Sequence, residues 1–299
     1  MPRHLLEIDD LSAGELTTVL DLAEQSPLPP VLAGRGMALL FEKPSARTRN
    51  SMEMAVVQLG GHPVTIRGEE VGFDVRETTE DITRTLACYH AAIAARVFDH
   101  GVVERMAAAS PVPVVNLLSD RAHPMQALAD LLTLRQRFGE LKGQTVAYVG
   151  DGNNVCRSLM LGASLAAMSV RIATPAGFEP GPGDVAHARE LGGDVVLTSD
   201  PVEAVAGADA VYTDVWASMG QEAEASQRRA AFAGFTVDRR VMAAAAPDAV
   251  FLHCLPAHRG EEVTAAVVDG PQSLVWPQAE NRMHAARGLL AWLLGEGAT

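Results

Sequence analysis

The sequence predicts an α/β protein whose strands form parallel sheets. Its 299 residues are 48% hydrophobic and 20% charged, which is enough to bury a large core and to form two domains. Short apolar segments of strand length alternate with segments of helical periodicity along the whole chain. Several apolar segments end in polar clusters, and ligands of parallel sheets bind beyond the carboxyl ends of the strands. We therefore expect the functional residues at strand ends and helix starts.

Charge and cysteine content restrict the class of function. The net charge of −13 argues against non-specific nucleic-acid binding, which requires dense Lys and Arg patches. Cys88, Cys156 and Cys254 are widely spaced and odd in number, with no CxxC pair and no zinc-ligand spacing, which indicates a reducing compartment. Acidic residues stand where a signal peptide needs an apolar run, and no segment is long and apolar enough to span a membrane. We expect a cytoplasmic protein that binds neither nucleic acid nor membranes.

The first predicted helix is scaffolding. Ser12 to Glu15 form a capping-box pattern that opens the helix, and the proline-rich segment 26–30 closes it. The buried face is formed by Leu16, Val19, Leu20 and Ala23.

The segment 37–61 predicts a phosphate-binding site. A strand over 37–41 is followed by Pro44, a helix capped by Ser45, and the helix-ending pair Gly60 and Gly61. The backbone N–H groups and the positive end of the helix dipole suit an anion. Hydroxyl and guanidinium groups add to them within one turn, at Ser45, Arg47, Thr48 and Arg49. A solvated basic helix start is the alternative interpretation.

The next elements place polar residues at two more strand ends. A strand over 62–66 leads into a polar, glycine-bearing loop, 67–77, which is either a lid or a connector, and then into a helix over 78–89. A strand over 91–97 carries Arg96 near its end. A strand over 112–118 precedes the polar segment 119–123.

His123 and Gln126 are predicted to lie together at a helix start. Pro124 occupies a first-turn position of the helix, whose buried face includes Leu128, Leu131 and Leu132. The spacing of three residues brings the His123 and Gln126 side chains to one helix terminus, where they could donate to a carbonyl or phosphate oxygen. A capping or surface histidine is the alternative.

The second half also has the α/β pattern. After a predicted domain junction at 141–143, a buried strand over 145–150 runs into GDGNN and a helix that ends near residue 168, which resembles the first unit of a Rossmann-like sheet. A dinucleotide site is poorly supported, because the third glycine is missing and the next strand does not end in an acidic residue. Further strands are predicted over 194–198, 210–216 and 250–255.

Two strand ends of the second half and the last helix carry candidate groups. Asp214 and Ser218 offer a carboxylate and a hydroxyl that suit an amine. Cys254 could orient an amine or accept its proton, although most cysteines outside disulfides are small buried hydrophobes. Arg282 begins a closing helix that buries Leu289, Leu290, Trp292 and Leu293, and on its own it reads as a surface charge.

Together these motifs resemble the aspartate/ornithine carbamoyltransferase family over nearly the whole chain. SARTR at 45–49 resembles the STRTR motif of the family, with Ala46 in place of a threonine, and HPMQ at 123–126 resembles its HPxQ. Arg96 stands where a carbamoyl-contacting arginine is expected. The second-half motifs are similar to the ornithine branch of the family, namely GDGNN, DVWASMG, HCLPAHRGEE and AENRMH.

The resemblance implies two Rossmann-like domains with the active site in the cleft between them. Residues 1–140 would bind carbamoyl phosphate, completed by the C-terminal helix 278–299 packing back on this domain, and residues 141–277 would bind ornithine. It implies transfer of a carbamoyl group from carbamoyl phosphate to the side-chain amine of ornithine, by a homotrimer that needs no cofactor and no metal.

The resemblance also assigns site residues. The implied carbamoyl-phosphate ligands are Ser45, Ala46, Arg47, Thr48, Arg96, His123, Gln126, Cys254, Leu255 and Arg282. The implied ornithine ligands are Asn154, Asp214, Ser218 and Met219. Catalysis itself would rest on Arg96, His123 and Cys254.

One loop departs from the pattern of the family. Where ornithine enzymes carry QLGRGE or QLGRDE, with a glutamine that reaches a neighbouring subunit, this chain reads GFDVRE, with Gly72 at the place of the glutamine and Asp74 or Arg76 as substitutes. Three other functions are alternatives: a carbamoyltransferase for another amine, such as an acylated ornithine or putrescine, an NAD-dependent oxidoreductase, and a non-catalytic ligand-binding paralogue.

Overall fold

The computed structural model describes residues 2–217 and 224–295. The chain divides into two compact units, one formed by the residues up to Leu132 together with those from Glu280 onward, and the other by Thr133–Ala279. Every helix in the described ranges is too short or too polar to cross a lipid bilayer.

The first unit is an α/β unit with four strands. After a 3-10 turn at Ile8–Asp10, its elements in chain order are α1 (Ala13–Glu24), β1 (Gly36–Phe41), α2 (Ala46–Gln58), β2 (His62–Arg67), α3 (Gly68–Val71), α4 (Thr79–Ala87), β3 (His90–Arg96), α5 (His100–Ala109), β4 (Val114–Leu118) and α6 (Pro124–Phe138), which continues into the second unit.

The sheet of the first unit is parallel, as predicted, with strand order β2-β1-β3-β4. The order reverses between β1 and β3, where Phe41 pairs with Arg96 at the carboxyl ends of both strands. Such a reversal leaves a crevice outside the strand ends, because the two following connections run to opposite sides. Ser45 and Arg96 therefore belong to the same crevice.

Local signals in the sequence explain where the helices of this unit begin. Ser12 and Glu15 form the predicted capping box, and α1 buries Leu16, Val19 and Leu20 along one face. Ser45 caps α2 by accepting a hydrogen bond from the Thr48 N–H, as predicted.

The prediction that residues 67–77 form only a loop is wrong. The helix α3 occupies its first part, because the Glu70 carboxylate accepts the Arg67 N–H at 3.2 Å and the Val71 side chain is buried. Gly72 ends this helix in a left-handed conformation with φ of 58°, which glycine adopts without strain.

The second unit contains five strands. Its elements are β5 (Thr145–Val149), α7 (Asn154–Leu165), β6 (Ser169–Ala173), α8 (Pro182–Glu190), β7 (Asp194–Thr198), α9 (Pro201–Val205), β8 (Ala210–Thr213), α10 (Ala225–Ala231), α11 (Arg239–Met242), β9 (Val250–His253), α12 (Ala265–Val268) and the start of α13 (Val275–Leu294).

The strand order of the second unit, β7-β6-β5-β8-β9, is the Rossmann-like order 3-2-1-4-5, and all strands are parallel. Its reversal lies between β5 and β8. The strands β8 and β9 end at Thr213 and His253, earlier than predicted. After β9 the backbone leaves the extended conformation, because Leu255 has a φ of 58° and its N–H donates to the His253 ring.

The C-terminal helix belongs mainly to the first unit, as predicted, but it spans Val275–Leu294, so Arg282 lies within the helix and not at its start. From Glu280 onward, the residues of α13 group with that unit. Arg287 donates to the Ala23 and Gln25 carbonyls at the C-terminal end of α1, at 3.2 and 2.8 Å. Gly288 lies so close to α1 that a Cβ atom would stand 2.6 Å from the Ala23 nitrogen.

Candidate active site

Two buried arginines meet at the hydroxyl of Thr48 in the first unit. Arg96 Nη1 donates to Thr48 Oγ1 at 3.3 Å, and Arg282 Nη2 donates to it at 2.7 Å. Ser45 Oγ donates to the same hydroxyl at 3.0 Å while accepting the Thr48 N–H. Guanidinium groups beside the N-terminus of α2 form a strongly positive site, because the helix dipole adds to their charge.

Gln126 orients one of these arginines. Its Oε1 accepts from Arg282 Nη1 at 2.8 Å, and its Nε2 donates to Asp130 Oδ1 at 2.8 Å. Gln126 is 1% exposed, so both ends of its amide are fixed inside the unit. The direct role of Gln126 in this structure is thus to hold Arg282.

His123 is a neutral imidazole in this positive environment. It is 4% exposed, and burial lowers its pKa well below the ordinary value, with further lowering from the positive charges of Arg282 and Arg96. A neutral imidazole can donate one hydrogen bond to a ligand oxygen at physiological pH.

Ala46 and Arg47 lie in the exposed first turn of α2. Their backbone N–H groups belong to the helix start, where intrahelical acceptors are absent. The geometry therefore combines backbone donors, hydroxyls and guanidinium groups for a small anion.

Glu42 links two of the strand ends that carry site residues, a contact that the sequence analysis missed. Its backbone N–H donates to the Arg96 carbonyl at 2.9 Å, and its carboxylate accepts the Phe98 N–H at 2.7 Å. The end of β1, which leads to Ser45, is thereby fixed to the end of β3. The contact joins residues 56 positions apart, so no local pattern could indicate it.

His100 supports the turn that precedes His123. Ser119 Oγ accepts from Asn116 Nδ2 at 3.1 Å and from the Ala122 N–H at 3.2 Å. Of the two possible acceptors of its hydroxyl proton, His100 Nδ1 at 2.7 Å is much nearer than the Ala122 carbonyl at 3.5 Å. The ring proton of His100 is then on Nε2, which lies 3.5 Å from the Glu7 carboxylate.

This trio of Ser119, His100 and Glu7 is a support, not a nucleophilic site. Ser119 is fully buried, and its oxygen accepts two hydrogen bonds. Because Ala122 immediately precedes His123, the trio fixes the backbone that presents the imidazole.

Asp214 is the centre of the cluster in the second unit. Its Oδ1 accepts from the Cys254 thiol at 2.9 Å, and its Oδ2 accepts from Asn153 Nδ2 at 3.0 Å. The structure thus brings together the carboxylate and the thiol that follow β8 and β9. Asp214 is only 4% exposed.

The two asparagines of GDGNN have different positions. Asn154, the predicted ligand, is the first residue of α7 and is partly exposed. Asn153, which the sequence analysis passed over, is the N-cap, and its Oδ1 accepts from the Val155 and Cys156 N–H groups. An asparagine directly before a helix is a capping signal, but its contact with Asp214 is not visible in the sequence.

Acidic groups dominate the surroundings of Asp214. Burial raises the pKa of Asp151, although Arg228 Nη1 donates to its carboxylate at 2.8 Å and opposes this shift. Burial also raises the pKa values of Tyr148 and Cys156 well above the ordinary range, and the charge of Asp214 adds to both shifts. Cys156 therefore stays a thiol, and the cluster suits a cationic ligand.

The turn after β9 is held by a buried pair. His253 Nε2 lies 3.1 Å from Glu262 Oε1, and His253 Nδ1 accepts the Leu255 N–H at 2.9 Å. Leu255 has a φ of 58°, a conformation that costs a non-glycine residue energy and is maintained here by these contacts. Asp214, His253 and Cys254 bring their potential metal-ligand atoms within 4.8 Å, but both ring nitrogens of His253 already have protein partners.

Two predicted ligands, Ser218 and Met219, lie outside the described residues.

The unusual loop has an internal explanation. A Cβ atom at Gly72 would lie 3.2 Å from the Arg76 Cγ, and the positive φ also disfavours other residues. Arg105 donates to both carboxylate oxygens of Asp74, which also accepts the Thr79 N–H. Asp74 thus anchors the loop within its own chain, whereas Arg76 is exposed and donates to the Glu70 carbonyl.

These features define a class of two-unit α/β protein, with a positive cluster at the strand ends of one parallel sheet and an acidic cluster at those of the other. The model of the aspartate/ornithine carbamoyltransferase carbamoyl-phosphate-binding domain matches residues 3–136, and the model of the Asp/Orn-binding domain matches residues 142–293. The chain therefore belongs to the aspartate/ornithine carbamoyltransferase family.

Known relatives match over almost their full lengths. Ornithine carbamoyltransferase from Parafrankia sp. is 50% identical, covering 98% of this chain and 96% of the relative. The enzyme of the same name from Thermus thermophilus is 51% identical, covering 98% and 97%. The solved structure of ornithine carbamoyltransferase from Pyrococcus furiosus has a TM-score of 0.95 and 46% identity, covering 99% of this chain and 98% of that chain.

Proposed function

We propose that this protein transfers the carbamoyl group of carbamoyl phosphate to the side-chain amine of L-ornithine, giving L-citrulline and phosphate in arginine metabolism. The observation that carries the proposal is the Asp214–Cys254 pair, which suits an amine, in a chain whose other unit carries buried arginines at a helix N-terminus. The full-length similarity to ornithine carbamoyltransferases supports it.

The phosphate half of the reaction is assigned to the first unit. Ser45, Arg47 and Thr48, with the backbone at Ala46, hold the phosphate group at the start of α2. Arg96 and His123 donate to the carbamoyl oxygen and stabilise the negative charge that develops on it in the tetrahedral intermediate. Arg282, held by Gln126, adds a second positive charge.

The amine half is assigned to the second unit. An alkyl amine has a pKa of about 10.4 and is protonated at neutral pH, so it must lose a proton before it attacks the carbamoyl carbon. Asp214 pairs with the ammonium form, and Cys254 positions the nitrogen and assists proton loss. Asn154, Ser218 and Met219 hold the amino-acid end, and the backbone at Cys254 and Leu255 accepts from the carbamoyl nitrogen.

The domain functions follow from these assignments. Residues 1–140 with the C-terminal segment 278–299 form the carbamoyl-phosphate domain, and residues 141–277 form the ornithine domain. The reaction needs no cofactor and no metal, because positioning and preorganised charge supply the rate enhancement.

A citrulline assay tests the function. Purified protein is incubated with carbamoyl phosphate and one amine at a time: L-ornithine, an N-acylated ornithine or putrescine. Citrulline formation and phosphate release with ornithine are expected to exceed the rates with the other amines. Phosphate release with another amine only would reassign the substrate, and no release with any amine would indicate a binding paralogue.

We also propose that the protein is a cytoplasmic homotrimer in which the loop 67–77 completes the phosphate site of a neighbouring subunit. Arg76 is the side chain assigned to this contact, because Asp74 is held by Arg105 within its own chain. Val75, next to it, is 87% exposed and suits burial against another subunit. All three cysteines, which lie in the described ranges, are outside disulfides, in keeping with a reducing compartment.

Mixing two inactive variants tests the shared site. Arg47→Ala protein and Arg76→Ala protein are dissociated, mixed and reassembled. Some sites in mixed trimers then contain an intact phosphate socket and an intact neighbouring loop, so activity should partly return. No recovery in mixed trimers confirmed by mass would mean that the loop acts within its own chain.

A further inference from the structure

Asn153 connects the start of α7 to the carboxylate that follows β8. Its Oδ1 accepts from the Val155 and Cys156 N–H groups at 3.0 and 3.1 Å, which fixes the orientation of the amide. Its Nδ2 therefore points away from the helix and donates to Asp214 Oδ2 at 3.0 Å, across 61 positions of sequence. The helix cap and the contact with Asp214 use opposite ends of one rigid amide.

This contact divides the two oxygens of Asp214 between different partners. With Oδ2 held by Asn153, Oδ1 is the oxygen that receives the Cys254 thiol at 2.9 Å. A carboxylate without this second contact could rotate and exchange its oxygens. Asn153 thus fixes which edge of the carboxylate faces the thiol.

The contact also adds no charge beside the carboxylate. A hydrogen bond from a neutral amide stabilises a carboxylate without adding a charge that would compete for a cationic ligand. The hydrogen bond from Asn153 matters because Asp214 is only 4% exposed, so water does little to solvate it, and its neighbours are acidic. The titratable and charged groups around it are Cys254 and His253 at the end of β9, Tyr148 on β5, Asp151 with its partner Arg228, and Cys156 on α7.

We infer that Asn153 is a positioning residue for the amine substrate: it holds the Asp214 carboxylate with Oδ1 turned toward the Cys254 thiol and the incoming amine. The inference rests on the proposed function, in which Asp214 binds the side-chain amine of ornithine. Asn153 itself contacts the carboxylate and not the reacting atoms.

The competing explanation is that Asn153 only caps α7. Substitutions of Asn153 distinguish this capping role from the positioning of Asp214. Asparagine, aspartate and serine all cap helices well, so Asn153→Asp and Asn153→Ser both keep α7 capped. Neither keeps the amide N–H that reaches Asp214 Oδ2, because an ionised aspartate has no donor and the serine hydroxyl is one bond shorter. A capping role alone predicts ornithine kinetics like those of the unmodified protein in both variants.

Asn153→Asp gives the sharper result. It places a second carboxylate about 3 Å from Asp214, and two carboxylates at such a distance share a proton. The acid limb of the pH profile of kcat/KM for ornithine should move to higher pH by about one unit or more. The pKa read from this limb is an apparent value that belongs to the pair of carboxylates and not to either one. Because aspartate remains a good cap, any fall in the unfolding temperature near neutral pH should come from the carboxylate pair and should become smaller as the pH is lowered and the pair takes up its proton.

Asn153→Ser should lower kcat/KM for ornithine by about ten- to a hundred-fold, the effect of losing a hydrogen bond to a charged group. The dissociation constant for carbamoyl phosphate, measured by calorimetry without ornithine, should stay unchanged. Asn153→Ala, which loses both contacts, should show the kinetic loss and a lower unfolding temperature.

The experiment begins with citrulline formation by the unmodified protein, because failure there rejects the proposed function and not the role of Asn153. If citrulline forms, the pH profile of Asn153→Asp is decisive even if Asn153→Ser folds poorly. A shifted acid limb with unchanged carbamoyl-phosphate affinity supports the inference. An unshifted profile, or equal losses for both substrates, overturns it.

Discussion

In each of the two sheets, charged side chains lie beyond the strand ends where the strand order reverses, and the sign of their charge differs between the sheets. Beyond β1 and β3, Arg96 and Arg282 converge on the Thr48 hydroxyl, and the pKa of the buried His123 is lowered. Beyond β5 and β8, Asp214 accepts hydrogen bonds from the Cys254 thiol and the Asn153 amide, and the pKa of its neighbour Asp151 is raised. Both sites use the same feature of parallel sheets, the crevice outside the strand ends.

The comparison separates what a fold provides from what its side chains decide. A parallel sheet offers helix N-termini and strand ends at one edge, whatever the ligand. A few buried residues then set the sign of the field, and burial amplifies it because water no longer screens the charges. If the positive cluster serves carbamoyl phosphate and the acidic cluster serves the amine, substitutions in the two clusters should have separable effects on the two substrates.

The largest effect is expected for Arg96→Ala. Removal of one donor to a developing oxyanion usually lowers turnover by about 10²–10³. Citrulline formation is measured beside Arg84→Ala, a control arginine whose salt bridge with Asp81 is exposed and contributes little. Normal turnover of folded Arg96→Ala would end its assignment to the carbamoyl oxygen.

A smaller and more selective effect is expected for Cys254→Ala. The change removes the thiol donor to Asp214, so kcat/KM for ornithine should fall by about ten- to a hundred-fold while calorimetry shows near-normal carbamoyl-phosphate affinity. Cys254→Ser keeps a donor and should recover part of the loss. Collapse of carbamoyl-phosphate affinity with intact ornithine use would reverse the roles of the two clusters.

His100 should affect the positive cluster indirectly. In His100→Leu the buried Ser119 hydroxyl loses its nearer acceptor and keeps only the Ala122 carbonyl at 3.5 Å, a cost of up to about 1–3 kcal/mol that should lower kcat by roughly tenfold through the His123 turn. His100→Asn offers an oxygen near the position of Nδ1 and should retain more activity. Equal turnover of the two folded variants and the unmodified protein would show that the turn needs no such support.

The smallest effect concerns His123 and pH. Its pKa is about 6.5 in the unfolded chain and lower in the folded protein, so below pH 6.5 only the unfolded state binds the proton and stability falls as the pH falls. His123→Gln removes the loss of stability at low pH that comes from the His123 imidazole. Its destabilisation, measured by urea unfolding, should be about 1 kcal/mol smaller at pH 5.5 than at pH 7.5.

His4 and His90 also have pKa values lowered by burial. The unmodified protein and the His123→Gln variant both contain these two histidines, so their contributions to the pH dependence of stability cancel when the two proteins are compared. An equal cost of the substitution at both pH values would mean that the imidazole titrates normally in the folded state.

Much of the architecture could be predicted from local sequence. Periodicity distinguished strands from helices, and the alternation of the two implied parallel sheets. Ser12 and Ser45 identified helix starts because capping depends on neighbouring residues. The motifs at 45–49 and 123–126, with those of the second half, indicated the family to which the chain belongs.

Other features depend on contacts that local patterns do not encode. The helix α3 and the early end of β9 were missed, because the burial of Val71 and the left-handed backbone at Leu255 depend on tertiary contacts. The roles of His100 and Asn153 were missed because their partners lie 19 and 61 residues away. Sequence by itself determined which residue types follow each strand. Only the tertiary structure decided the strand orders, and therefore which of those residues meet, because packing sets which strands are neighbours.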